Sequence, residues 1–136
     1  MIAMGRPLPC LAAAALTVLV ACETTLPSGP SDLTTGIVIY EHANYQGRSA
    51  HVTADIKDLK AIARGPCETE DTSDWNDCMS SVRVAPGTRA TLYRDADFKG
   101  ESVEASSDIP NLQLVAGSCS HDGLNDCITS IRIGRP

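Results

Sequence analysis

Apolar and polar residues alternate in short bursts from residue 36 to the end of the chain. "GIVIYE" (36–41) and "RATLYRD" (89–95) carry β-branched and aromatic residues with a period near two. "SSVRVAP" (80–86) and "TSIRIGRP" (129–136) share one pattern of apolar, Arg, apolar, then a breaker. A period of two puts successive side chains on opposite faces of a pleated strand. Short strands of this kind, bounded by Gly, Pro and Asp, predict an all-β sandwich. Helical periodicity is slight, and "DIKDLKAIAR" (55–64) predicts one or two turns at most.

The residues before 36 lack the alternation. Arg6 is the one charge ahead of the small and apolar run "LAAAALTVLVA" (11–21). A positive start and a short apolar run make a secretory leader, too short to span a bilayer comfortably. "LVAC" (19–22) resembles the lipobox of bacterial lipoproteins, in which the Cys is acylated and becomes the new N-terminus. The expectation is a leader over 1–21, lipid on Cys22 and a lipid-anchored, extracytoplasmic protein of the bacterial cell envelope. Ordinary secretion is the alternative, but it would place Leu19 where small residues are preferred. Residues 22–35, with Pro, Ser, Thr and Gly, read as a linker that reaches about 20 Å from the anchor. Residues 36–136 then form the folded domain.

Charge narrows the partners. The full chain carries −6 at pH 7, and loss of Arg6 with the leader makes the mature chain more negative still. An acidic domain is a poor ligand for nucleic acid or for an anionic membrane surface. Part of the charge lies in "ETEDTSDWND" (68–77), which is either a solvated loop or a local attractor of cations.

Of six cysteines, Cys10 leaves with the leader and Cys22 is the acylation candidate. Cys67, Cys78, Cys119 and Cys127 remain. In an exported domain they imply two disulfides, with three pairings open. A four-thiolate zinc site is the rival, but the spacings are far longer than those of zinc knuckles.

A repeat organises the domain. Tyr40-x4-Tyr45-x-Gly47 recurs 53 positions later as Tyr93-x4-Phe98-x-Gly100, and Asn76-Asp77-Cys78 recurs 49 positions later as Asn125-Asp126-Cys127. "YEHANYQG" and "YRDADFKG" resemble the Greek-key signature of βγ-crystallins. "NDCMSS" and "NDCITS" resemble the calcium motif of the same family, an Asx pair, any two residues, then Ser/Thr-Ser. The resemblance covers nearly all of the chain beyond the linker. It implies two Greek keys, 36–86 and 87–136, forming a two-sheet βγ-crystallin sandwich. Tyr40, Tyr45, Tyr93 and Phe98 are expected to specify fold, and Trp75 to plug the core. The repeat itself favours Cys67–Cys78 and Cys119–Cys127 over the pairings that cross between halves.

Calcium takes six to eight oxygen ligands and needs no His or thiolate. Asn76, Asp77 and Ser80 offer amide, carboxylate and hydroxyl oxygens within five residues, and Asn125, Asp126 and Thr129 offer the same set. By resemblance, backbone carbonyls of Glu41 and Arg94 complete two sites that bridge the halves, so two calcium ions are expected. The alternative is that both Asx pairs only close turns.

Other chemistry is thin. Asp55 with Asp58, or Asp95 with Asp97, lack a partner signature for acid–base work. His42, His51 and His121 have no metal or triad spacing, and Ser28 sits in no nucleophile elbow. The expected function is non-enzymatic: a calcium-binding, lipid-anchored βγ-crystallin module in which calcium mainly stabilises the fold. The alternative is a protein-binding module, such as a protease inhibitor or an adhesive domain, with "SSDIPNLQLVAGSC" (106–119) as a bait loop.

Overall fold

The structure, a computed structural model, describes residues 33–68, 73–117, 119 and 123–134. The leader, Cys22, most of the linker, His121 and residues 69–72 of the acidic stretch lie outside the described residues.

Alternation becomes strand where expected. β1 (Ile37–His42) pairs antiparallel with β2 (Gln46–Val52) on one side and with β5 (Ser81–Val84) on the other. The second half repeats this with β6 (Arg89–Asp95), β7 (Lys99–Ala105) and β8 (Ser130–Gly134), in the order β7-β6-β8. A minor ribbon, β3 (Cys67–Glu68) and β4 (Ser73–Asp74), lies in the first excursion.

Neither three-stranded sheet is complete by itself. Ile56, from the first half, pairs with Ile131 of β8, and Ile109, from the second half, pairs with Val82 of β5. Each bridge holds two backbone hydrogen bonds, at 2.8 and 2.9 Å in both cases. Each half thus lends the other the edge segment that a Greek key needs. The inner faces meet in one apolar cluster that includes Ile37, Ile39, Val52, Val82, Ala90, Leu92, Ala105 and Ile131. Trp75 and Leu124 stand at equivalent places beneath the Asx pairs and are 2% and 0% exposed. Trp75 is therefore a core plug.

The segment 55–64 forms only a short 3-10 turn, Leu59–Ala61. Its backbone is committed elsewhere: Ile56 N–H donates to the Ile131 carbonyl at 2.8 Å and Leu59 N–H to the Thr129 carbonyl at 2.7 Å. The Ile56 carbonyl also accepts from Ile131 N–H at 2.9 Å, and neither it nor the Leu59 N–H can serve a helix as well. Asp58 caps the turn by accepting from Lys60 N–H at 2.9 Å, and Asn111 caps the equivalent turn, Leu112–Leu114, through Gln113 N–H at 2.9 Å.

The aromatic hairpins fold back as the spacing implies. Asn44, Tyr45 and Gly47 take positive φ, as do Asp97, Phe98 and Gly100. A Cβ on Gly47 would strike the side chains of Glu41 and His42, and on Gly100 that of Asp95. Tyr40 and Tyr45 meet edge to face at 5.7 Å, Tyr93 and Phe98 at 5.8 Å. Arg83 lies over the Tyr45 ring and Arg132 over Phe98, at 4.4 and 4.3 Å.

Candidate metal centre

The two Asx turns sit side by side at one end of the sandwich. Asp77 N–H donates to the Ile128 carbonyl, and Asp126 N–H donates to the Met79 carbonyl, each at 3.2 Å. The following hydroxyl residues are pinned to the hairpins. Ser80 N–H donates to the Tyr40 carbonyl and Thr129 N–H to the Tyr93 carbonyl, each at 2.9 Å.

These ties make the turns exchange side chains. The Thr129 hydroxyl donates to Asp77 Oδ1 at 3.2 Å, and the Ser80 hydroxyl reaches Asp126 Oδ1 at 3.5 Å. Both aspartates occupy the left-handed region, with φ of 54° and 51°. The Asn76 amide donates to Asp77 Oδ2 at 2.7 Å, and the Asn125 amide to Asp126 Oδ2 at 2.6 Å. The first Asx of each pair therefore orients the second.

Two shallow cavities result. One, of about 320 Å³, is lined by Glu41, His42, Ser80, Asp77 and Asp126, with Cys67 and Cys78 in its wall. The other, of about 370 Å³, is lined by Arg94, Asp95, Asn125, Thr129, Asp77 and Asp126, with Cys119 and Cys127 in its wall. Of the sequence-derived candidates, Asn76 alone lines neither; it acts from behind, on Asp77. His42 and Asp95 line the cavities but were not among the candidates. Their signal was present: each follows Glu41 or Arg94 at the same step of the repeat.

The second Ser of each motif has a separate task. Ser81 is fully buried, accepts from Tyr45 N–H at 3.0 Å and donates to the His42 carbonyl at 2.6 Å. Ser130 does the same for Phe98 N–H and the Asp95 carbonyl, at 3.1 and 2.6 Å. These serines lock the hairpins; they are not free to ligate.

The candidate ligands offer oxygen only, and His42 is the one imidazole at the cavities among the described residues. Cys67 is bonded to Cys78 and Cys119 to Cys127, which removes the thiolates a zinc site would need. Among the described residues no three His, Cys, Asp or Glu side chains gather as a metal cluster. A cation here would lean on carbonyls, hydroxyls and water as much as on carboxylates, which suits calcium. Asn76 Oδ1 is buried without a hydrogen-bond partner among the described residues, but it lies outside both cavities. One feature of the cavities themselves fits a cation. Burial raises the Asp77 carboxyl above its usual range, against the lowering effect of the hydrogen bonds from Thr129 and Asn76.

The family model for peptidase inhibitor family I36 matches residues 39–105. Spherulin-3A of Physarum polycephalum is 33% identical over 97 residues, spanning 70% of this chain and 78% of that protein. A structure solved in work on the evolution of the eye lens βγ-crystallin domain fold matches with a TM-score of 0.59 and 28% identity, covering 76% of this chain and 89% of its own. A βγ-crystallin domain from Flavobacterium johnsoniae matches with a TM-score of 0.54 and 29% identity, covering 73% and 93%.

Proposed function

The chain belongs to the βγ-crystallin family, with spherulin-3A among its relatives, and we propose that it is a non-catalytic, calcium-binding module of the bacterial cell envelope, anchored by lipid on Cys22. The observation that carries the calcium reading is the exchange of side chains between the two Asx turns. Asp77 stands beside Thr129 and Asp126 beside Ser80, so each cavity joins a carboxylate from one half to a hydroxyl from the other. Calcium, when bound, supplies positive charge between oxygens that belong to different halves. Ser80 and Asp126 would hold one ion and Thr129 and Asp77 the other, with carbonyls of Glu41 and Arg94 at the hairpin side. Asn76 and Asn125 orient the carboxylates.

The role that follows is stabilisation. A ligand that binds only the native state adds about 2.7 kcal/mol at a hundredfold excess over its dissociation constant. Here the ion would also cross-link the two Greek keys. Thermal melts of chelator-treated protein, with and without millimolar calcium, test this; the melting temperature rises with calcium and returns with chelator. Lipid anchoring has its own test. Membrane fractionation with mass analysis places a diacylglycerol on Cys22, and Cys22→Ser releases the protein; a mature N-terminus elsewhere contradicts it.

A second reading is recognition of a protease. It is favoured by the matching family model and by Leu114, which is 83% exposed in the segment 106–119. Leu114 N–H donates to the Asn111 carbonyl, and the neighbouring Leu112 is fully buried, so the loop is anchored beneath its exposed tip. Inhibition assays against serine and metalloproteases, with Leu114→Asp as the control, test this reading.

A further inference from the structure

Each candidate cation cavity has a disulfide for a wall, and the bridge joins the turn that carries the ligands. Cys78 directly follows Asp77, and Cys127 directly follows Asp126. The bridges hold their Cα atoms 5.8 and 6.1 Å apart. We infer that calcium occupancy and the redox state of these bridges are linked: the oxidised protein binds calcium more tightly than the reduced one, and bound calcium in turn shields the bridges from thiol reductants. This inference rests on the calcium reading above.

Three observations support it. First, both aspartates sit in the left-handed region, which residues other than Gly visit uncommonly, Asp more readily than most. A covalent bond at the next residue helps to hold them there. Second, the sulfurs lie against the carbonyls of the turn. Cys78 Sγ is 3.1 Å from the Asn76 carbonyl oxygen, and Cys67 Sγ is 3.8 Å from that of Asp77. A disulfide sulfur carries no proton, so these oxygens keep their lone pairs for another partner. Third, each bridge has one buried cysteine, Cys78 or Cys119, and one half-buried cysteine, Cys67 or Cys127. The half-buried members line the cavities, so the accessible sulfur and the candidate ligands share one space.

Reduction by a dithiol transfers two electrons and two protons. The S–S bond breaks, two thiols form, and the dithiol closes to its own disulfide. Each new thiol is a donor, and in the first repeat those donors sit beside the Asn76 and Asp77 carbonyls. The turn also gains freedom to leave the left-handed region. Both changes spoil the cation cavity. Linkage then makes the effect reciprocal: the factor by which reduction weakens calcium binding is the factor by which calcium opposes reduction.

The test uses the oxidised mature protein in a dithiothreitol buffer, with reduction followed by alkylation and mass analysis. Three conditions are compared: chelator, millimolar calcium, and chelator with enough sucrose to raise the melting temperature as far as calcium does. Calcium is expected to displace the reduction equilibrium by about tenfold or more, within the usual range of coupling between sites. Sucrose should not reproduce that displacement, because it stabilises the fold without occupying the cavities. Ser80→Ala/Thr129→Ala should need about tenfold more calcium for the same effect and keep its disulfides. Equal reduction in calcium and chelator, in protein that calorimetry shows to bind calcium, overturns the linkage alone. An equal effect of sucrose overturns it too. An absence of binding heat overturns the calcium reading as well. Calcium titration of the fully reduced protein gives the reciprocal measurement, with affinity expected to fall by the same factor; Cys119→Ser/Cys127→Ser should lower it in the same direction.

Discussion

The Asp77 carboxylate accepts a hydrogen bond from the Thr129 hydroxyl at 3.2 Å, across 52 residues of sequence. The contact joins the two Greek keys, and its counterpart joins Asp126 to Ser80. A turn-closing Asx residue would satisfy its own backbone. These two instead reach across the domain, and a cation between them would tie the halves together.

Thr129→Ala and Ser80→Ala each remove one oxygen from one cavity. Each is expected to weaken one ion by about tenfold, on the scale of one lost charge-assisted contact, and to leave the other ion bound. The apolar core is untouched, so the calcium-free melting temperature should move little. Calorimetry and melts on each variant check both halves of this expectation.

Asp77→Asn should separate binding from folding. As a residue Asp77 is largely exposed, but its carboxyl group is partly withdrawn from water, and that burial raises its proton affinity above the usual value. A raised carboxyl binds more protons in the native state than in the unfolded one. Its contribution to stability is therefore greatest at low pH and is lost as pH rises from the ordinary carboxylate value through the raised one. At neutral pH without calcium, Asp77→Asn is expected to melt no lower than the parent. With calcium it should melt lower, because a ligand charge is gone.

Ser130→Ala predicts the opposite pattern. Ser130 is fully buried and its hydroxyl satisfies both Phe98 N–H and the Asp95 carbonyl. Removing it leaves two part-buried polar groups without that partner, which costs about 1 kcal/mol or somewhat more. The melting temperature should fall by several degrees with or without calcium, and the number of ions bound should not change.

Residues 36–86 alone should not form a stable domain. Ile56 would lose its pairing with Ile131, and Val82 would lose Ile109. The isolated half would also expose the apolar face of its sheet. Circular dichroism of that fragment is expected to lack a cooperative melt, whereas residues 33–136 retain one.

The strands that pack on both sides were the legible ones. β1 and β6 carry β-branched or aromatic residues, and β5 and β8 carry alternating ones that fill the core. β2 and β7 were visible only through their glycines and the aromatics just before them, because their side chains face solvent over most of their length. The exchanged segments were missed, although their signal repeats: Asp55-Ile56-x-x-Leu59 returns as Asp108-Ile109-x-x-Leu112. A single bridging isoleucine in an irregular segment has no period to detect. Its aspartate made the same point quietly. Asp55 accepts from Ile133 N–H and Asp108 from Val84 N–H, each at 2.8 Å, so both close a sheet edge rather than pair for catalysis. At the cation cavities, sequence spacing brought out the oxygens but not the division of labour. Ser80 and Ser81 are neighbours of one type, yet only the first faces the cavity, because pleating sends the second into the hairpin.

Calorimetric titration of chelator-treated protein with calcium is the most direct measurement of the central claim. Two ions per domain are predicted, with affinities of about 10⁻⁶ to 10⁻³ M, the range of sensors and extracellular modules. Two binding events, each weakened by its own hydroxyl variant, would bear out the exchanged sites. No binding heat at millimolar calcium would contradict them, and the paired Asx turns would then be fasteners between the two Greek keys and nothing more.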